Sequence, residues 1–174
     1  MAWKSKRIGG VTYDLSHLDT KIVSVTPHVL NAPTYRVLVS YGCHTFTREL
    51  DANDIPDLHY INGGETRCFC VDRYKLSLSL PKMVNAAAQG GRAYFGQGSN
   101  MLILDNTHGA AGPYCVFFKM TKSTKSRADA VMFVVSAYLK PALPKKLGAI
   151  SFAALVGTVA NGHKVRNPGT RIAY

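Results

Sequence analysis

A chain of 174 residues, 47% hydrophobic and 18% charged, can bury a core without disulfides or metal and has the composition of an ordinary globular domain. Its formal net charge of +11 is the departure. Residues 1–106 hold 11 Lys+Arg against 9 Asp+Glu, whereas residues 107–174 hold 10 against a single Asp, so the excess belongs to the second part. A one-signed field of this kind attracts polyanions. The start, MAWKSKRIGG, has no apolar core of a secretory signal. The longest nearly apolar stretch, Ala149–Ala160, is too short to cross a bilayer. A cytoplasmic protein with reduced thiols, and no membrane partner, is therefore expected.

In chain order, residues 1–10 read as a flexible basic start ending in Gly9-Gly10. Val11–Tyr13 is a short strand, and Lys21–His28 alternates as a strand until Pro27. Thr34–Leu50 carries the clearest strand signal of the first half. Tyr35, Val37, Val39 and Tyr41 share one face by period two, and Arg36, Leu38 and Ser40 take the other. Gly42 marks a bulge or bend that would re-aim Cys43 and His44. Residues 51–64 form an acidic, turn-rich loop, and Arg67–Val71 a short strand. Asp72 caps a first helical turn. The main helix runs from about Leu80 to Gln89, with Ser79 as N-cap, Pro81 in the first turn and Gly90-Gly91 as the stop.

Strands then come in quick succession. Arg92–Phe95 and Ser99–Asp105 flank a Gly96-Gln97-Gly98 turn, and Tyr114–Met120 and Ala130–Tyr138 flank the basic tip KMTKSTKSR. Ile150–Asn161 places Phe152, Leu155, Val156 and Val159 at helical spacing before Gly162. The expected class is α+β: a small N-terminal β meander, then a helix, a roughly four-stranded antiparallel sheet and a C-terminal helix. The expected organisation is a single domain over 1–174, with a β-rich part at 11–71, helix plus sheet at 72–161, and a basic tail at 162–174.

The usual catalytic motifs are missing: no phosphate-cradling P-loop, no H-E-x-x-H, no G-x-S-x-G and no calcium loop. Cys43-His44 and Cys68-x-Cys70 have poor spacing for structural zinc and read as buried thiols, so no metal or other cofactor is expected. What remains is a cationic site. RNA can be cut without metal, because its own 2′-hydroxyl attacks the neighbouring phosphate. The protein then supplies a base, an acid and cations for the developing charge. His44, Arg73 and Tyr138 are the candidate catalytic residues, with His17, Ser136 and Tyr94 as possible helpers. Lys119, Lys122, Lys125, Arg127, Lys145 and Lys146 are the candidate nucleic-acid contacts. Each also has a plain structural role open to it, such as a surface pair for Arg73 with Asp72 or Glu65.

The order of a helix followed by an antiparallel sheet, over about Asp72–Asn161, resembles the small metal-independent ribonucleases of the barnase, colicin and RelE toxin type. The resemblance lies in topology and charge and carries over no catalytic residue. YDLSHLD, YGCHTFTREL and CFCVDRYKLSLSLP also resemble bacterial prophage and mobile-element proteins. The first likeness implies a toxin-like or defence-associated ribonuclease with RNA as partner and an acidic antitoxin or complex partner beside it; the second implies a bacterial accessory protein and assigns no chemistry. A non-catalytic RNA- or DNA-binding or adaptor subunit, or a structural subunit docking an acidic protein, is the alternative.

Overall fold

A computed structural model describes residues 2–27, 29, 31–96, 102–107, 112–142 and 148–166. The basic start is not wholly irregular. Lys6–Ile8 (β1) pairs antiparallel with Val11–Tyr13 (β2) across Gly9-Gly10. Both glycines have positive φ, +53° and +81°, which a two-residue hairpin turn of this twist requires. Next come β3 (Lys21–Val25) and β4 (Tyr35–His44). In β4 the period-two pattern holds: Val37, Val39, Tyr41 and Cys43 are buried, whereas Arg36 is exposed.

Thr47–Arg48 (β5), His59–Asn62 (β6) and Glu65–Phe69 (β7) form a separate three-stranded sheet, in the order β5-β7-β6. Strand β6 falls within the stretch expected to be loop. Its polar sequence, HYIN, carries no apolar alternation, and its strand character comes from pairing with β7.

Helix α1 (Val71–Ser77) and helix α2 (Leu80–Ala88) follow in the two pieces expected around Pro81. The capping differs in part from expectation. Cys70 occupies the N-cap of α1, so Asp72 lies within the first turn, where its charge favours the helix dipole. Ser79 holds the expected N-cap position of α2, but its side chain makes no capping bond; its hydroxyl donates back to the Leu76 carbonyl.

The four antiparallel strands expected after the helix are β8 (Arg92–Phe95), β9 (Leu102–Thr107), β10 (Pro113–Lys122) and β11 (Ala130–Leu139). After them come β12 (Ala149–Ser151) and α3 (Phe152–Ala160), which Ser151 caps by accepting from the Ala154 N–H. The sheet extends at both ends, in the order β12-β8-β9-β10-β11-β4-β3. One contact in it is parallel, β11 on β4. The class is α+β, and one buried cluster joins the first and second parts of the chain: Val37, Val39 and Phe46 with Val116, Met132, Val134 and Leu155. The α2 and α3 faces predicted from spacing are those buried: Leu80, Met83, Val84 and Ala87, then Phe152, Leu155, Val156 and Val159.

The parallel ladder carries an irregularity that matters for the site. Val134 pairs with Tyr41 and Ser136 with His44, so Gly42 and Cys43 together oppose Val135. This is the expected bulge, and Gly42 makes it possible. A Cβ at Gly42 would lie 3.1 Å from the Val135 carbonyl oxygen, 3.3 Å from that of Val134 and 3.1 Å from Cζ of Phe133. Gly157, in α3, is different: a Cβ there meets Tyr35 at an ordinary 3.4 Å. Gly42→Ala is therefore expected to destabilise the protein by ~1–3 kcal/mol, because backbone must shift. Gly157→Ala should stabilise it by up to ~1 kcal/mol through helix propensity. Urea denaturation of the two variants measures both signs.

Candidate functional site

Beyond the bulge the chain turns sharply. Thr45 N–H and Phe46 N–H donate to the carbonyls of Gly42 and Cys43, and the hydroxyls of Thr45 and Thr47 donate to the same two oxygens. Thr45, Phe46 and Thr47 are fully buried. Phe46 is the hub of an aromatic cluster, with ring centroids 5.3 Å from Trp3, 5.0 Å from Tyr60 and 5.9 Å from Phe69. Burying those three side chains leaves His44, at the last position of β4, at the surface beside Ser136.

His44 Nε2 lies 3.0 Å from Glu65 Oε2. The other carboxylate oxygen of Glu65 accepts from Arg67 Nη1 at 2.7 Å, and Arg67 Nε donates to the Thr47 hydroxyl at 2.8 Å. The His44 contact, and then Arg67, hold the Glu65 carboxyl below the usual glutamate range. With an ionised partner on Nε2, that nitrogen carries the proton and Nδ1 carries the lone pair. Arg48 meets Asp54 with both terminal nitrogens and depresses its pKa, helped by the Asp51 N–H.

Arg73, on α1, donates to the Thr47 carbonyl at 2.7 Å and reaches the His44 carbonyl at 3.4 Å. Its guanidinium lies over the Tyr138 ring, 5.3 Å from the centroid. Tyr138 in turn stacks on Phe117 at 4.9 Å. Among the described residues no carboxylate pairs with Arg73, so the alternative role open to it, a surface pair with Asp72 or Glu65, is not taken up. Its charge is held by carbonyls and an aromatic face and is left for an anion.

These side chains line one open cleft of about 480 Å³: His44, Arg48, Glu49, Arg67, Arg73, Ser136 and Tyr138. The three candidate catalytic residues thus converge. Glu65 and Arg67 were not among the candidates. Their alternation on β7 puts both on one face and was a usable signal, but only the tertiary arrangement brings that face to His44. Other candidates fall elsewhere. His17 bonds the buried Ser77 hydroxyl at 2.8 Å, and burial pushes its pKa down. Tyr94 packs against Cys115 and Phe117. Because Tyr138 already stacks on Phe117 beneath Arg73, its hydroxyl, rather than a free ring face, is what it offers a ligand.

Lys119, Lys122, Lys125 and Arg127 are exposed on the β10–β11 hairpin and do not line the cleft; Lys119 is the nearest of them along the strand, and the other three lie toward the tip. Lys122 pairs with Ala130, about 20 Å along β11 from Ser136 at strand spacing. Lys145 and Lys146 lie outside the described residues.

Cys43, His44 and Glu65 could offer sulfur, nitrogen and oxygen to a metal, with donor atoms within 4.8 Å of one another. Cys68 and Cys70 do not join them. Burial pushes the Cys43 thiol up, Asn62 donates to its sulfur at 3.3 Å, and Arg67 occupies the second Glu65 oxygen. Arg73, whose charge no carboxylate offsets among the described residues, opposes a dication in this cleft and favours an anion, whereas Arg48 and Arg67 are already paired with Asp54 and Glu65.

The model of the YjaZ family matches residues 5–160, and the chain belongs to that family. No curated protein and no solved structure matches the chain. Among the described residues, no helix is long and apolar enough to cross a membrane.

The Arg48–Asp54 pair pins the 51–57 loop at the cleft rim. A carboxyl with a depressed folded pKa contributes stability above its unfolded value, about 3.9, and loses it as pH falls through the folded value. Asp54→Asn should therefore lower the urea midpoint at pH 7, and the gap from wild type should close progressively below about pH 4. A midpoint difference that stays constant with pH would show that the ion pair is not its source.

Proposed function

We propose that this YjaZ-family chain binds RNA and cleaves it in the cleft by attack of the 2′-hydroxyl on the adjacent phosphate. The observation that carries this reading is the meeting of an acid-partnered imidazole, a guanidinium without a carboxylate and a tyrosine hydroxyl in one anion-favouring cleft. His44 Nδ1 takes the 2′-hydroxyl proton as the 2′-oxygen bonds to phosphorus. Arg73, with Arg48 and Arg67 beside it, offsets the charge that builds on the non-bridging oxygens. The P–O5′ bond breaks, and the Tyr138 hydroxyl protonates the departing 5′-oxygen. The products are a 2′,3′-cyclic phosphate and a 5′-hydroxyl. Glu65 is a positioning residue that holds the imidazole tautomer.

The biological setting that fits is a toxin-like or defence-associated ribonuclease in the bacterial cytoplasm, restrained by an acidic antitoxin. Binding without cleavage is the second reading. It is favoured by the distance between the exposed Lys122, Lys125 and Arg127 cations at the hairpin tip and the cleft. Under it, affinity falls steeply with salt and with Lys→Ala changes at 119, 122 and 125, and no product forms.

Incubating the purified protein with RNA and mapping both new ends tests the proposal. Cyclic-phosphate and 5′-hydroxyl ends are expected, with DNA left intact. His44→Ala should lower the rate by ~10²-fold or more, and Arg73→Ala by a similar factor. Glu65→Gln should reduce kcat with little change in KM. RNA that survives intact, or cleavage unchanged in His44→Ala and Arg73→Ala, would overturn the catalytic reading.

A further inference from the structure

The sheet face that bears the cleft continues past it. Along β11 the register sets Ser136 beside His44 and Phe117, then Phe133 beside Ser40 and Lys119, then Val131 beside Leu38 and Thr121. Met132 and Val134 point to the core side and are fully buried. Phe133, at 42% exposure, is the one exposed aromatic residue among those described. A phenylalanine left open in the middle of an interior strand adds little to the fold.

The position of the ring is set by the bulge. A Cβ on Gly42 would come within 3.1 Å of Phe133 Cζ, so the ring reaches the backbone two residues before His44. Lys119, directly across on β10, is exposed, and among the described residues no carboxylate pairs with it. An aromatic surface, an unpaired cation and a hydroxyl therefore form one row at the edge of the cleft.

The geometry points to a nucleotide-binding subsite next to the cleft, in which Phe133 stacks one base of single-stranded RNA and Lys119 contacts its phosphate. The subsite deepens, and rests on, the ribonuclease reading of the cleft. Stacking needs a base whose face is free, which a duplex does not present. Stacking is also tolerant of base identity, so the subsite selects strandedness more than sequence. It would set the reading frame of the strand across the cleft: one base held on Phe133 leaves the neighbouring phosphodiester to reach His44 and Arg73.

A labelled, short 2′-O-methyl oligoribonucleotide separates binding from cleavage, because its blocked 2′-oxygen cannot attack. Anisotropy titration of the full chain at fixed salt should show Phe133→Ala binding about tenfold more weakly than wild type. Phe133→Trp should keep the affinity, and its fluorescence should be quenched on binding. Lys119→Ala should weaken binding and reduce the salt slope by about one. The same oligonucleotide annealed to its complement should bind wild type and Phe133→Ala alike. Equal single-strand affinity of wild type and Phe133→Ala overturns the subsite. If His44→Ala still abolishes cleavage of ordinary RNA in that case, the reading of the cleft stands. Wild-type protein that neither binds nor cleaves RNA overturns both.

Discussion

Strand β4 meets the C-terminal half of the sheet through its parallel ladder with β11. Parallel strands cannot be joined by a tight turn, so β4 and β11 come from distant parts of the chain. Their pairing brings His44 to Ser136 across a separation of 92 positions in sequence. The bulge at Gly42 then decides what the end of β4 presents. Two residues opposing one shift the alternation, and the chain turns so that Thr45, Phe46 and Thr47 go inward. His44 is left at the surface because its neighbours are committed to the core. The aromatic cluster around Phe46 is the physical support of the cleft: disturbing it would move the carbonyls of His44 and Thr47 that hold Arg73.

The cations of the molecule fall into two kinds. Arg48 and Arg67 are matched by Asp54 and Glu65; Arg48 pulls the Asp54 carboxyl below its usual range, and His44 and then Arg67 do the same to Glu65. These pairs build the cleft wall. Arg73 and the hairpin lysines have no such partner among the described residues. Their charges share one sign at the surface, the kind of field that attracts polyanions. Even the hairpin tip is held in place: Asp129 accepts from the Arg36 N–H, and its own N–H donates to the Arg36 carbonyl. The basic surface is therefore presented on an ordered scaffold, attached to the start of the same strand that ends in His44.

Much of this was legible in the chain itself. Period-two alternation in β4 and helical spacing in α2 and α3 named the buried faces correctly, because burial of apolar side chains is what those periodicities encode. His44, Arg73 and Tyr138 could be singled out as residue types suited to phosphate chemistry, and they do share a cleft. The misses have physical reasons. Strand β6 lacks alternation, since its partner β7 supplies the hydrogen bonds while its side chains stay largely at the surface. Asp72 and Ser79 carry capping side chains, but α1 takes Cys70 as its N-cap, two positions before Asp72, and Ser79, at the N-cap of α2, has helical backbone angles and turns its hydroxyl back to the Leu76 carbonyl.

By itself the sequence determined the class of fold, the buried faces, the charge asymmetry and the absence of familiar catalytic motifs. Each of these is local or additive and can be read from spacing and counting. Only the tertiary structure decided that β4 lies parallel to β11, that Glu65 and Arg67 stand behind His44, and that Arg73 keeps its charge without a carboxylate. Those are pairings between distant segments. Their choice depends on which strands share a sheet and on how a bulge turns a side chain, and no local pattern encodes either.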